Sequence, residues 1–400
     1  MGALFGRQPF TGFGKNRLAT SAGAAAPVQV QGSRSTQLRA RVRQECPQRP
    51  GIYGMLDARG ELIYVGKAKN LRCRLLSYFR KKSRDPKAGR ILRHTRTICW
   101  EYVPSEFAAL LRELELIQRW RPEFNVQGQP GRRPRTFLCL GRRPAPYLFL
   151  TRKPPRGLVG LWGPIIAGPQ SRQAARWLND WYRLRDCPQA QTMAFADQAK
   201  LFAEDERAAG CLRYEIGTCL GPCAALCSRS SYTVQVQAAR AFLDGADSAV
   251  LTSLEAQMQQ AATELAFERA AVLHEKLKAL GWVTKQLARL RQAREQFNFI
   301  YPATDHGGGQ TWYLIRRGYV AAALPAPLDA EERERAALTV RAVFEKKHST
   351  ATRQVEEMEG VSLVLGWFCR HPAELKRVVA VADCLGAAEA IPVGQAFQPD

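Results

Sequence analysis

No stretch of this 400-residue sequence approaches the ~18 consecutive apolar residues of a membrane-spanning helix. A secretory leader is not expected either, because Lys15 and Arg17 interrupt any apolar run near the start. Acidic residues are missing over long reaches, with none in residues 1–44 and none from Asn125 to Asn179. Lysine and arginine number 59 against 36 aspartates and glutamates, a net charge of +23. Such an excess says little about fold but favours polyanionic partners. Eleven cysteines without a secretory segment fit a reducing, cytoplasmic setting, in which some thiols serve metal or redox chemistry.

The acid-free start is rich in Gly, Ala, Ser, Gln and Arg, so residues 1–46 are expected to form a disordered basic arm, with a composition that an organelle transit peptide shares. The most informative stretch follows, RPGIYGMLDARGELIYVGKAKNLRCRLLSYF from Arg49 to Phe79. Gly51–Leu56 reads as a strand, Ala58–Gly60 as a turn and Glu61–Gly66 as a second strand. Asn70 is placed to cap a helix reaching Phe79. The hairpin sets Tyr53 and Tyr64 on neighbouring strands, close to opposite each other. Arg74 and Tyr78 are four apart on one helix face. Two tyrosines, Lys67 and Arg74 can therefore converge.

After a basic loop, Lys81 to Arg96, Ile98–Val103 reads as a third strand and Glu106–Arg121 as a helix. Its apolar stripe is expected at Leu110, Leu114 and Ile117, with Glu113 in the stripe and Glu115 one residue outside it. A carboxylate on a buried face is costly unless it is paired or bound to a cation. Glu113 is thus either half of a core salt bridge or a metal ligand, and its company of Tyr53, Tyr64, Lys67 and Arg74 favours the ligand.

GIY at Gly51–Tyr53, YVG at Tyr64–Gly66 and the longer run IYVGKAKNLRCRLLSYF resemble the GIY-YIG nucleases, and within them the UvrC/Cho type of excision-repair endonuclease. The run ELELIQRWRPEFNV resembles the end of the same domain. The resemblance implies hydrolysis of a DNA phosphodiester. Tyr64 would act as general base, Lys67 would supply the cation that helps it ionise, and Arg74 would stabilise the phosphate. Tyr53 and Tyr78 would orient water or phosphate oxygens, Glu113 would hold one Mg²⁺ (or Mn²⁺), and Asn125 would close the domain. One carboxylate suits a magnesium ion that keeps several waters.

In the next section Arg132, Arg133, Arg135, Arg142, Arg143, Arg152, Lys153 and Arg156 have no acidic neighbours, a pattern suited to following a phosphate backbone. Strands are expected at Thr136–Leu140 and Tyr147–Leu150 and a helix at Ser171–Tyr182. Cys187, Cys211, Cys219 and Cys223 have spacings suited to a metal or cluster, and Cys227 is a spare ligand. The segment resembles the cysteine-rich region of UvrC, where four cysteines hold a four-iron cluster, but has a longer insertion between Cys187 and Cys211. An iron–sulfur cluster, zinc and free thiols all remain open. Residues 231–295 read as helical, and FERAAVL at Phe267–Leu273 resembles the UVR motif that grips UvrB, with Phe267 as anchor. In the tail, strands are expected at Phe297–Tyr301 and Thr311–Ile315 and a helix at 329–347. Asp305, Asp329 and Asp383 do not form a strand-borne cluster for two metals.

The expected fold is α+β. A small antiparallel sheet flanked by helices forms a nuclease domain over 47–127. A basic and cysteine-rich region follows at 128–230, then a UVR-like helical hairpin at 231–295 and a Cho-like tail at 296–400. The expected function is incision 3′ to a lesion in damaged double-stranded DNA, with recruitment by a UvrB-like helicase subunit and without a membrane partner. A non-catalytic DNA- and UvrB-binding adaptor and a UvrB-independent structure-specific nuclease are the alternatives.

Overall fold

The computed structural model describes residues 9–18, 28–80, 88–126, 135–197, 211–345 and 354–385. The chain divides into two compact units, residues 1–132 together with 293–400, and residues 133–292.

The first unit begins with β1 (Val28–Gln31) and α1 (Ser35–Glu45). The hairpin β2 (Gly51–Leu56) and β3 (Leu62–Ala68) follows, then α2 (Leu71–Tyr78), α3 (Ala88–His94), β4 (Thr97–Tyr102), α4 (Glu106–Trp120) and α5 (Glu123–Val126). The sheet is antiparallel in the order β1-β4-β2-β3. Every residue of β2 is buried, as befits a central strand covered on both faces.

Two expectations are corrected here. The basic arm expected over 1–46 is, across 28–45, a strand and a helix. Leu38, Val42 and Cys46 recur every four residues and are buried in the same core as Trp100 and Ile91. A shortage of acids therefore does not keep this segment unfolded; residues 1–8 and 19–27 lie outside the described residues. The loop expected from Lys81 to Arg96 contains α3, and its first part, 81–87, also lies outside the described residues.

The second unit holds β5 (Arg135–Leu140), β6 (Leu148–Thr151), β7 (Gly160–Ile166), α6 (Pro169–Trp181), α7 (Leu212–Glu215), α8 (Arg229–Asp244), α9 (Ala249–Thr263) and most of α10 (Phe267–Gln296). Its sheet runs β6-β5-β7, antiparallel. Its core joins Leu138, Leu178, Phe242, Leu254 and Leu280, one from each of five elements. Asn179 ties α6 to β6, accepting from the Leu148 amide at 2.9 Å and donating to the Leu148 carbonyl at 2.8 Å.

The chain then returns to the first unit with β8 (Phe299–Thr304), β9 (Gln310–Arg316), β10 (Tyr319–Pro325), α11 (Ala330–Glu345), α12 (Gln354–Arg370), α13 (Pro372–Leu375), β11 (Val379–Ala380) and α14 (Val381–Leu385). The strand order is β10-β9-β8-β11. This tail is more regular than the two strands and one helix expected. It packs on α4, where Phe107 is enclosed by Tyr301, Tyr313 and Trp367 at ring separations of 5.1, 4.9 and 5.3 Å.

That packing also changes the apolar face expected of α4. The buried residues are Phe107, Ala108, Ala109, Leu110, Arg112, Glu113 and Leu116, whereas Leu114 and Ile117 are only half-buried. A helix covered on two sides has no single stripe. Glu115, expected at the surface, pairs at 2.8 Å with the buried Arg112, which also bonds Glu101 at 2.6 Å.

Candidate active site

The site is assembled from short-range decisions of the chain. Asp57 closes the β2–β3 turn, its carboxylate accepting from the Arg59 and Glu61 amides at 2.9 Å. The hairpin register sets Tyr53 opposite Gly66 and Tyr64 opposite Met55, with an irregularity between Met55 and Leu56. The two tyrosines are therefore diagonal neighbours rather than opposite ones, with ring centroids 6.1 Å apart. Gly66 is required at its position, because a Cβ there would collide with the Tyr53 ring. Asn70 caps α2 by accepting from the Cys73 amide at 3.0 Å, which orients Arg74 and Tyr78 towards the hairpin.

A pocket of about 570 Å³ opens over this hairpin, and Tyr53, Tyr64, Lys67, Arg74 and Glu113 line it. Of the seven residues expected to form the nuclease site, these five are thus brought together. Tyr78 stands behind the pocket: its hydroxyl is 2.9 Å from that of Tyr53, and its ring lies 5.0 Å from the Arg74 guanidinium. Asn125 is placed differently again. It accepts from the Val65 amide and donates to the Val65 carbonyl, both at 2.8 Å, so it fixes β3 between Tyr64 and Gly66. Lys69, Ser77 and Arg80 also line the pocket and were not singled out from the sequence.

Electrostatics divide the tyrosines. Burial first, and then the neighbouring Tyr64, push the Tyr53 hydroxyl well above its ordinary range, against the pull of Arg74. Burial likewise raises Tyr78, with Tyr53 and Tyr64 adding to the effect. Arg74 donates to Tyr53 at 3.2 Å and to Tyr78 at 3.4 Å. Burial works against its charge, but Tyr53 and Tyr78 outweigh that and hold the guanidinium charged. Lys67 and Lys69 both reach Glu106, at 3.6 and 2.7 Å. Burial works to raise the Glu106 carboxyl, and the two lysines outweigh it and keep it below the usual range. Glu113 is buried and is the one carboxylate among the described lining residues. Its neighbour Arg112 is engaged elsewhere, with Glu101, Glu115 and the carbonyls of Phe13 and Gly14.

The cysteines of the second unit gather without forming a coordinating set. Cys219 is buried, Cys187 and Cys223 are half-buried and Cys211 is exposed. Burial first and then Cys187 and Cys211 raise the Cys223 thiol, so these sulfurs lie within electrostatic reach of one another. Cys219 feels Cys211 and Cys223 in the same way, and Cys227 feels Cys219. Among the described residues no group of three or more His, Cys, Asp or Glu side chains is arranged to hold a metal ion. No helix of the described residues is long and apolar enough to cross a membrane. In the helical hairpin, Leu265, Phe267 and Val272 present apolar side chains to solvent, Phe267 at 67% exposure. Of the basic run, Arg132 and Arg133 lie outside the described residues.

Comparison with known families places three segments. Residues 49–126 match the UvrC-like GIY-YIG domain, 136–242 the UvrC/Cho excinuclease middle domain and 248–281 the UvrB/UvrC motif. The chain is 35% identical over 252 residues to the UvrABC system protein C of Pseudomonas syringae pv. tomato, covering 63% of this chain and 38% of that one. It is 35% identical over 273 residues to the UvrABC system protein C of Salmonella schwarzengrund, covering 68% of this chain and 42% of that one. The chain thus spans about two fifths of the length of these relatives. The magnesium-bound GIY-YIG endonuclease domain of UvrC from Thermotoga maritima is 32% identical, covering 23% of this chain and 99% of that one at a TM-score of 0.21. The chain therefore carries a UvrC-type GIY-YIG domain, a UvrC-type middle domain and a UVR motif in succession.

Proposed function

We propose that this chain is an endonuclease that cuts a phosphodiester of damaged duplex DNA on the 3′ side of the lesion, at the pocket built on the β2–β3 hairpin. The observation that carries the reading is the convergence of Tyr53, Tyr64, Lys67, Arg74 and Glu113 on one pocket. Tyr53 and Tyr78 bond each other and Arg74, and burial keeps their protons on. Tyr64 is left as the tyrosine that takes a proton from water, with Lys67 three residues along β3. Arg74 faces the charge that develops on the phosphate, where a fixed donor acts most strongly. Tyr53 and Tyr78 orient Arg74, and Asn125 holds the backbone that carries Tyr64.

Glu113 suits a hard cation: it is a single, buried carboxylate at the wall of a polar pocket. A Mg²⁺ or Mn²⁺ ion held there would supply Lewis-acid polarisation of the phosphate. The thiols Cys187, Cys211, Cys219 and Cys223 are proposed as ligands of an iron–sulfur cluster, with zinc as the second choice and Cys227 as the reserve ligand. The exposed Phe267 is proposed to seat in a UvrB-like partner, and the exposed arginines of the middle region to follow the DNA backbone. The setting is the cytoplasm.

The test is an end-labelled duplex carrying one bulky adduct, incubated with the chain and magnesium, with and without a UvrB-like partner. The expected result is one partner-dependent cut 3′ to the adduct. Binding to the adduct without any cut would favour an adaptor, and an equal cut without the partner would favour an independent nuclease.

A further inference from the structure

The first turn of α4 is gripped residue by residue. The Pro104 carbonyl accepts from the His306 amide at 2.8 Å. Ser105 caps the helix by accepting from the Ala108 amide at 3.1 Å. Phe107 is 1% exposed, inside the cage of Tyr301, Tyr313 and Trp367. Nearer the other end of α4, Gln118 donates to Glu359 of α12. Between these anchors the helix carries Glu113 to the pocket wall. Within the gripped turn sits Glu106, which points the other way and meets Lys67 and Lys69 at 3.6 and 2.7 Å. The His371 imidazole of the tail, tilted against Trp367 with ring centroids 4.1 Å apart, lies within electrostatic reach of the same carboxylate.

We infer that the C-terminal sheet and α12 form a seat that fixes α4 in register, and that Glu106, held in the seated turn, is a positioning residue for Lys67 in the active site. A fifteen-residue helix carrying a buried carboxylate is poorly held by one covered face, and Phe107 supplies the second. A lysine on a strand has a long, mobile side chain, and a carboxylate fixed at a helix start limits where its ammonium can go. The tail, remote in sequence, would thus set the geometry of two pocket groups, Lys67 beside the tyrosine base and Glu113 at the proposed metal site. This rests on the nuclease reading above.

The test uses the full chain with Glu106→Gln and, separately, Phe107→Leu. For Glu106→Gln the expected result is a fall of about ten- to a hundredfold in kcat for nicking, the scale of a misplaced catalytic group. KM for the duplex should not rise, and the melting temperature should stay close to wild type. A purely structural role would lower the melting temperature and would not separate kcat from KM. For Phe107→Leu, amide hydrogen exchange should quicken across residues 106–116 while β2 and β3 stay protected. Wild-type kcat in Glu106→Gln, or unchanged exchange along α4 in Phe107→Leu, would overturn the inference. Should the wild-type chain fail to nick at all, the nuclease reading falls, while the exchange measurement still decides whether the tail seats α4.

Discussion

The pocket on the β2–β3 hairpin and the cysteine region after α6 draw on equally suggestive residues, and the fold treats them differently. In the pocket, Tyr53, Tyr78 and Arg74 close a hydrogen-bonded set, and Glu113 is brought to the same wall from α4. The cysteines stay at different depths, from the buried Cys219 to the exposed Cys211. A hairpin register, a helix cap and a packed ring are decisions the chain makes unaided. A thiol set must lose protons and be drawn together by the ion it binds, so its geometry belongs to the bound state. The fold brings the pocket residues to one wall, whereas among the described residues it does not arrange the cysteines as a coordinating set.

Arg74→Ala should break the pocket side of this contrast most severely. It removes the guanidinium that bonds Tyr53 and Tyr78, together with the charge offered to the phosphate. Nicking should fall by about a hundred- to a thousandfold, the usual loss for one fixed donor, with the chain still folded by circular dichroism. A smaller effect is expected from Phe267→Ala. An exposed aromatic anchor is worth about 2 kcal/mol or more in a complex. Titration of a UvrB-like partner should show that weakening, while slow partner-independent nicking is unchanged.

Removing bound groups should sharpen the contrast further. Chelation of magnesium should stop nicking with little change in melting temperature. Stripping iron or zinc from the cysteine region should instead lower the melting temperature, because such binding energy is folding energy. Metal and sulfide analysis of anaerobically purified protein tells cluster from zinc, and finding neither would return the thiols to ordinary status. Alkylation at pH 8 adds a residue-level check. Cys73, Cys211 and Cys369 are exposed and should react first in the stripped chain, and a bound group should protect Cys211 but not Cys73 or Cys369.

The smallest effect concerns the buried thiols. Burial raises Cys46, Cys99 and Cys139 from 9.0 to about 12. A group whose pKa is raised by folding contributes stability that is complete below its unfolded value and is lost as pH climbs towards the folded one. Melting temperature should therefore hold up to about pH 9 and decline from there towards pH 12, and a flat profile across that window would contradict the burial of these thiols.

The hairpin, the Asn70 cap and the convergence of Tyr53, Tyr64, Lys67 and Arg74 were legible from local spacing, and Glu113 from a carboxylate in an apolar stripe together with its resemblance to the GIY-YIG nucleases. What the sequence hid came from longer-range geometry. Tyr53 and Tyr64 are offset because the hairpin register pairs Tyr53 with Gly66 and Tyr64 with Met55, which no pattern of apolar residues announces. β1 and α1 were masked by composition, although Leu38, Val42 and Cys46 carry a helical period. The stripe of α4 was misassigned because Phe107 and its tail partners add a second covered face. Glu106 offered only the weak signal of an acid in a first helical turn, and its meeting with Lys67 and Lys69 depends on how β3 and α4 pack.

The central claim is that the pocket is a hydrolytic site in which Tyr64 takes the proton and Glu113 holds the metal. Tyr64→Phe keeps the ring among Tyr53 and Tyr78 and removes only the hydroxyl; Glu113→Gln keeps the size and removes the charge. Single-turnover nicking of an adduct-bearing duplex in magnesium, with DNA affinity measured in parallel, tests both. Each variant should lose at least about a hundredfold in rate, the lower range for loss of a general base, while binding the duplex as wild type does. Near-normal nicking by either variant would contradict the assignment.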